Sequence, residues 1–175
     1  MARRAPARGF TLVEAMVAMA VLLIGTLGLI SLHTVGVRMN ADARIMTQAT
    51  NIAQDLVAQM QGWNYSTDTR LVNVNPANDA DFTDTAFDFQ TLDVVTAANY
   101  DHEEGELEPN GWTGIPTATV QALGFTRYWN IAEVDIDQNG VLQGRRVAVI
   151  VRWGEVGRWR RIVLVTYLQN PQIAF

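Results

Sequence analysis

A glutamate, Glu14, stands at the head of an 18-residue apolar run, Ala15 to Leu32. An ionised carboxylate placed in a bilayer costs about 2.5–3.5 kcal/mol on insertion scales. The chemistry that residue can do there is electrostatic: it can neutralise a cation or fix a register in an apolar setting where a lone charge is expensive. The other chemistry-bearing clusters are weaker. Asp101-His102-Glu103-Glu104 gathers carboxylates and an imidazole, but without a defined ligand spacing, and a solvated acidic loop accounts for it. Asp135-Ile136-Asp137-Gln138-Asn139-Gly140 matches the first half of a calcium loop, yet the position that must supply a bidentate glutamate is Arg146, whose charge opposes a cation. Asn-Gly between two strands is a hairpin-turn signal instead. With no Ser/His/Asp, Cys/His or phosphate-loop constellation, the sequence points to no enzyme, no cofactor and no metal site.

Composition narrows the setting. There is no cysteine, so disulfides and thiolate metal sites are excluded. There is no lysine, and all 13 basic residues are arginine. Arg3, Arg4 and Arg8 precede the apolar run, and without them the formal charge moves from −5 to −8. An acidic body of that kind argues against non-specific nucleic-acid binding.

The elements that must position Glu14 begin with the apolar run itself. It exceeds the 7–15 residues of a secretory signal, and no small-residue cleavage site follows Leu32 or His33. A plain signal anchor, three arginines followed by a membrane-length segment, explains everything except Gly9-Phe10 and Glu14. Gly9-Phe10-Thr11-Leu12-Val13-Glu14 resembles the class III signal of type IV pilins and type II secretion pseudopilins. The resemblance implies a leader over residues 1–9, cleavage by prepilin peptidase between Gly9 and Phe10, N-methylation of Phe10, and an assembly role for Glu14 as the fifth residue of the mature chain. Cutting before the apolar run leaves it attached as an anchor and packing surface. It also leaves an α-amine at Phe10 that can pair, in a filament, with the Glu14 carboxylate of an adjacent subunit.

Beyond Leu32 the chain turns polar while keeping helical spacing. Ile45, Ala49, Ile52, Ala53, Leu56 and Met60 fall on one stripe of a 3.6-residue period, and no proline lies between Pro6 and Pro76. A single helix from Phe10 to Gln61 would be about 78 Å long. Gly25, Gly28 and Gly36 weaken that helix by about 1 kcal/mol each or serve close helix packing in a membrane; the two readings are compatible. This segment, from Gly25-Thr26-Leu27-Gly28-Leu29 through Gln48 to Met60, is similar to PilV-type minor pilins, and it lacks the proline common in the membrane half of major pilins.

From Asp68 to Glu108 there are eleven acids and one arginine, Arg70. Turn signals at Asn75-Pro76 and Glu108-Pro109-Asn110-Gly111 and poor periodicity predict an irregular, loop-rich region over Ser66–Ala122, with short strands near Ala86–Val95. Asn64-Tyr65-Ser66 fits a glycosylation acceptor by chance. Three strands follow, Phe125–Asp135, Arg146–Trp153 and Arg158–Leu168, joined through Asp137–Gly140 and Gly154–Gly157. Trp129, Trp153, Trp159, Tyr128 and Tyr167 on these strands read as core filling or cross-strand pairs. Seven arginines between Arg127 and Arg161 face four acids in the same stretch and offset the acidic middle, within the head or across a subunit contact.

The expected fold is α+β and type IV pilin-like, a long N-terminal helix packed on a C-terminal antiparallel sheet with a loop-rich acidic insertion. Its segments are a leader (1–9), the membrane or filament-core half of the helix (10–32), the amphipathic half (33–62), the acidic region (63–122) and the sheet (123–175). The resemblance implies a minor pilin, anchored once in the inner membrane with a periplasmic head and then packed into a type IV pilus or its tip. The implied partners are the major pilin, other minor pilins and prepilin peptidase, and the implied phenotype is pilus assembly and twitching. A minor pseudopilin of a type II secretion system and a membrane-anchored adhesin or binding module are the alternatives.

Overall fold

The computed structural model describes residues 11–74, 100–108, 111–135, 142–155 and 158–172. Helix α1 spans Leu12–Met60. Its start is set by Thr11, whose Oγ1 accepts the Glu14 amide at 3.3 Å while its carbonyl accepts the Ala15 amide. Threonine followed three residues on by glutamate is the sequence of a capping box. Its end follows the loss of the apolar stripe: the Gly62 amide turns back to the Gln59 carbonyl and the Trp63 amide to that of Met60.

The chain divides into two units, residues 1–45 and 46–175. In the first, every described residue up to Arg44 is exposed, including Leu22, Ile24, Leu27 and Leu32. Two of its hydroxyls are satisfied within the helix: Thr26 Oγ1 donates to the Leu23 carbonyl at 2.9 Å and Thr34 Oγ1 to that of Ile30 at 3.0 Å. This is the arrangement that lets a hydroxyl sit in an apolar medium. Residues 25–36 are helical throughout.

In the second unit the expected stripe is buried at Ala49, Ile52, Ala53, Leu56 and Met60, with Ile45 half-buried at the end of the first unit. A fully buried leucine such as Leu56 contributes about 1.5–3 kcal/mol relative to exposure. The sheet has four antiparallel strands in sequence order: β1 His102–Glu103, β2 Phe125–Val134, β3 Gly144–Glu155 and β4 Arg158–Gln169. β2 and β3 pair from Phe125↔Trp153 to Val134↔Gly144, and β3 and β4 from Gly144↔Gln169 to Glu155↔Arg158. The expected meander is therefore present, with strand ends shifted by one or two residues. The core is completed by Leu71, Leu107, Val120, Trp129, Ile131, Val147, Val149 and Val151.

The stretch expected to be irregular holds β1, 3-10 turns at Thr69–Leu71 and Glu104–Glu106, and a helix, α2, at Thr117–Ala122. α2 is six residues long, too short for periodicity to reveal. The Glu108 carboxylate accepts the Thr117 amide at 2.6 Å at its start, and Gly124, with φ +81°, turns the chain from it into β2. The leader and Phe10, the strands expected near Ala86–Val95 and the turn at Asp137–Gly140 fall outside the described residues.

Candidate functional site

Of the three positions singled out by the sequence, Gly9 and Phe10 fall outside the described residues, and Glu14 is placed in the first turn of α1. Aligned peptide dipoles put partial positive charge at that end, which favours a carboxylate. Glu14 is exposed, as are Leu12, Val13, Met16 and Val17 around it. Nothing within 4 Å would meet a Cβ added at Gly25, Gly28 or Gly36. These glycines therefore relieve no crowding inside the chain and leave a smooth surface for a neighbouring helix. A continuous apolar surface of this kind is stable only when lipid or other protein covers it.

The head is organised by arginines laid on aromatic rings, a pattern the sequence showed only as composition. The Arg70 guanidinium lies 3.9 Å from the Trp63 ring centroid and donates from Nε and Nη2 to both Asp68 oxygens, at 2.9 and 2.7 Å. These bonds hold the Asp68 carboxyl below the usual carboxylate range. The Trp129 indole, fully buried on β2, donates to the Arg70 carbonyl at 2.8 Å. His102 stacks on the same indole, at 5.3 Å, with Nε2 donating to the Val72 carbonyl at 2.7 Å and Nδ1 at 2.8 Å from Glu106. The solvated acidic loop expected over 101–104 is therefore not what forms: His102, Asp101 and Glu104 are all buried in the head. Asp101 and Asn130 extend the β1–β2 pairing with their side chains: the Asp101 amide donates to Asn130 Oδ1 at 2.7 Å, and the Ile131 amide to Asp101 Oδ2 at 2.6 Å.

A second frame surrounds Arg127, which is fully buried. Nη1 donates to the Ile115 carbonyl at 3.0 Å and Nη2 to Thr117 Oγ1 at 3.1 Å, while Nε faces Glu104 Oε2 at 3.7 Å. Burial lowers the Arg127 pKa, and Glu104, Asp55 and Glu108 oppose that shift by favouring its charged form. Asp55 on α1 accepts the Ile115 amide at 2.8 Å, and Gln59 accepts the Thr113 hydroxyl at 2.7 Å. The 112–117 loop is thereby tied to α1 on one side and to β2 on the other. The expectation that arginines offset the acidic region within the head holds at this pair.

On β3 and β4 the remaining aromatics part company. Trp153 is buried against Phe125, 5.8 Å between centroids. Trp159 and Tyr167, expected as core or cross-strand groups, are 60% and 45% exposed. The Arg152 guanidinium lies 4.0 Å above the Trp159 ring. Arg145 lies 4.4 Å from the Tyr65 ring centroid and donates to the Tyr65 carbonyl at 2.6 Å. Asn64, the chance glycosylation acceptor, uses its Oδ1 to accept the Ser66 and Thr67 amides in a turn.

Residues 4–30 match the prokaryotic N-terminal methylation motif. That motif supports a pilin- or pseudopilin-type protein processed by prepilin peptidase, and with the long helix and the four-stranded antiparallel sheet the fold is type IV pilin-like. The apolar helix and the motif together are compatible with a membrane-anchored, single-pass pilin. No curated protein and no solved structure matches the chain.

Proposed function

We propose that this chain is a minor pilin of the PilV type. In this reading prepilin peptidase cuts between Gly9 and Phe10, Phe10 is methylated, and the helix holds the protein in the inner membrane until it packs into a type IV pilus or the complex that primes one. The head catalyses nothing and holds no cofactor; its work is contact with the major pilin and other minor pilins. The observation that carries the reading is the exposure of the whole apolar surface of α1 from Leu12 to Leu32, headed by the Glu14 carboxylate in a dipole-favoured first turn and overlapping the methylation motif at residues 4–30.

Glu14 then supplies register. Its carboxylate meets the Phe10 amine of an adjacent subunit, and each charge removes the desolvation penalty of the other. The test is Glu14→Ala and Glu14→Lys in the producing bacterium, scored for cleavage by intact mass and for recovery with sheared filaments. The expected result is a mature chain beginning at Phe10 in every case, with recovery lost in both variants. Unchanged recovery would remove the assembly role, and assembled material retaining residues 1–9 would overturn the reading altogether. Deletion separates pilus from secretion system: piliation and twitching should fail while type II secretion continues.

A further inference from the structure

We propose that the outer edge of β4 is a strand-addition surface for an extended, acid-bearing segment of a neighbouring subunit. This rests on the pilin reading above. The two edges of the sheet are built differently. β1 is two residues long and is continued along β2 only by the Asp101–Asn130 side-chain contacts, so it offers little edge for a further strand. β4 is twelve residues long, all in one-to-one register with β3, and among the described residues no strand pairs with its other edge.

Natural sheets blunt a long edge with charge, proline or a bulge. The middle of β4, Ile162-Val163-Leu164-Val165-Thr166-Tyr167, has neither charge nor proline, and the register has no bulge. Val165 and Tyr167, two residues apart and hence on one face, are each 45% exposed. An uncharged run of β-branched and aromatic residues on such an edge pairs readily with another extended chain. In a chain that works by assembly, the covering strand belongs to a neighbouring subunit.

Charge sets the occupant's chemistry. β4 opens Arg158-Trp159-Arg160-Arg161 in a protein of net charge −5. Trp159 projects 60% exposed beside the Arg152 guanidinium, the aromatic and arginine pairing typical of interface anchors. A strand laid along β4 gains from carboxylates opposite this end and from small or β-branched residues opposite 162–167.

The test uses the full chain in the producing bacterium, with photoreactive benzoylphenylalanine at Val165 or, as control, at Leu123, which is 52% exposed at the end of α2. Light should give an adduct from position 165, and not from 123, whose second component carries a prepilin-type N-terminus. Separately, Val165→Lys should lower recovery with filaments at least tenfold, with Val165→Thr within twofold, at unchanged chain level, N-terminus and protease resistance. Absence of an adduct from 165, an adduct with a protein lacking that N-terminus, or normal recovery of Val165→Lys would each overturn the proposal. If the unsubstituted chain is not recovered with filaments, the pilus reading is what fails, and the adduct from 165 in membranes still decides the edge.

Discussion

Replacing Arg127 by methionine keeps most of the side-chain volume and removes the charge from a site where the guanidinium is fully buried. Two hydrogen bonds disappear, to the Ile115 carbonyl and Thr117 Oγ1, and Glu104, only 6% exposed, loses its cation. Breaking a buried pair by removing one partner costs about 3–5 kcal/mol, most of it the uncompensated charge. Glu104→Gln beside it should restore part of that, because the amide carries no charge and its oxygen can keep the bond from Gln121, now 2.8 Å. The double variant should then sit about 1–2 kcal/mol below wild type, the cost of two neutral hydrogen bonds, which is about 2–3 kcal/mol better than Arg127→Met alone and makes the two substitutions non-additive. Urea unfolding of the detergent-solubilised full chain, followed by tryptophan fluorescence, measures all four corners of the cycle. A loss under 1 kcal/mol for Arg127→Met, or additive single and double effects, would show that Arg127 is not holding the 112–117 loop through a charged contact.

Leu56→Ala should lower stability by about 2–5 kcal/mol in the same assay, since the side chain is fully exchanged for a cavity; a loss under 1 kcal/mol would mean the α1 stripe is not core. Gly144→Ala should cost about 1–3 kcal/mol, because a Cβ there meets the Tyr167 ring and the Leu168 carbonyl, and Tyr167→Ala in the same chain should relieve only the part due to the ring. Asp68 is held below the usual carboxylate range by Arg70, so its stabilisation is complete above its unfolded pKa of about 3.9 and is lost as pH falls through the lower folded value. Asp68→Asn should flatten the acid limb of the urea-midpoint profile below about pH 4; an unaltered limb would remove Asp68 from the acid response.

The helix and the sheet were legible because their signals repeat. Five of the six stripe positions from Ile45 to Met60 are buried, alternation located β2, and richness in valine and isoleucine located β3 and β4. Glu14 was legible because a charge beside an apolar run stands out. The Arg127 frame was not, since Asp55, Glu104, Ile115 and Thr117 meet Arg127 only through the tertiary fold, and an arginine inside an alternating strand gives no sign of which face it takes. α2 was too short to announce itself. Trp159 and Tyr167 make cross-strand contacts with β3, at Arg152 and Gly144, but stay exposed: alternation fixes which residues share a face, not whether anything covers that face at the edge of a sheet.

Four arginines of the head, Arg70, Arg127, Arg145 and Arg152, lie over aromatic rings, a role that suits a flat guanidinium better than an ammonium. With every basic side chain committed to arginine, the sequence contains no ε-amine. Amine-selective reagents therefore find no side-chain target in it, and any label they place reports on an N-terminal nitrogen alone.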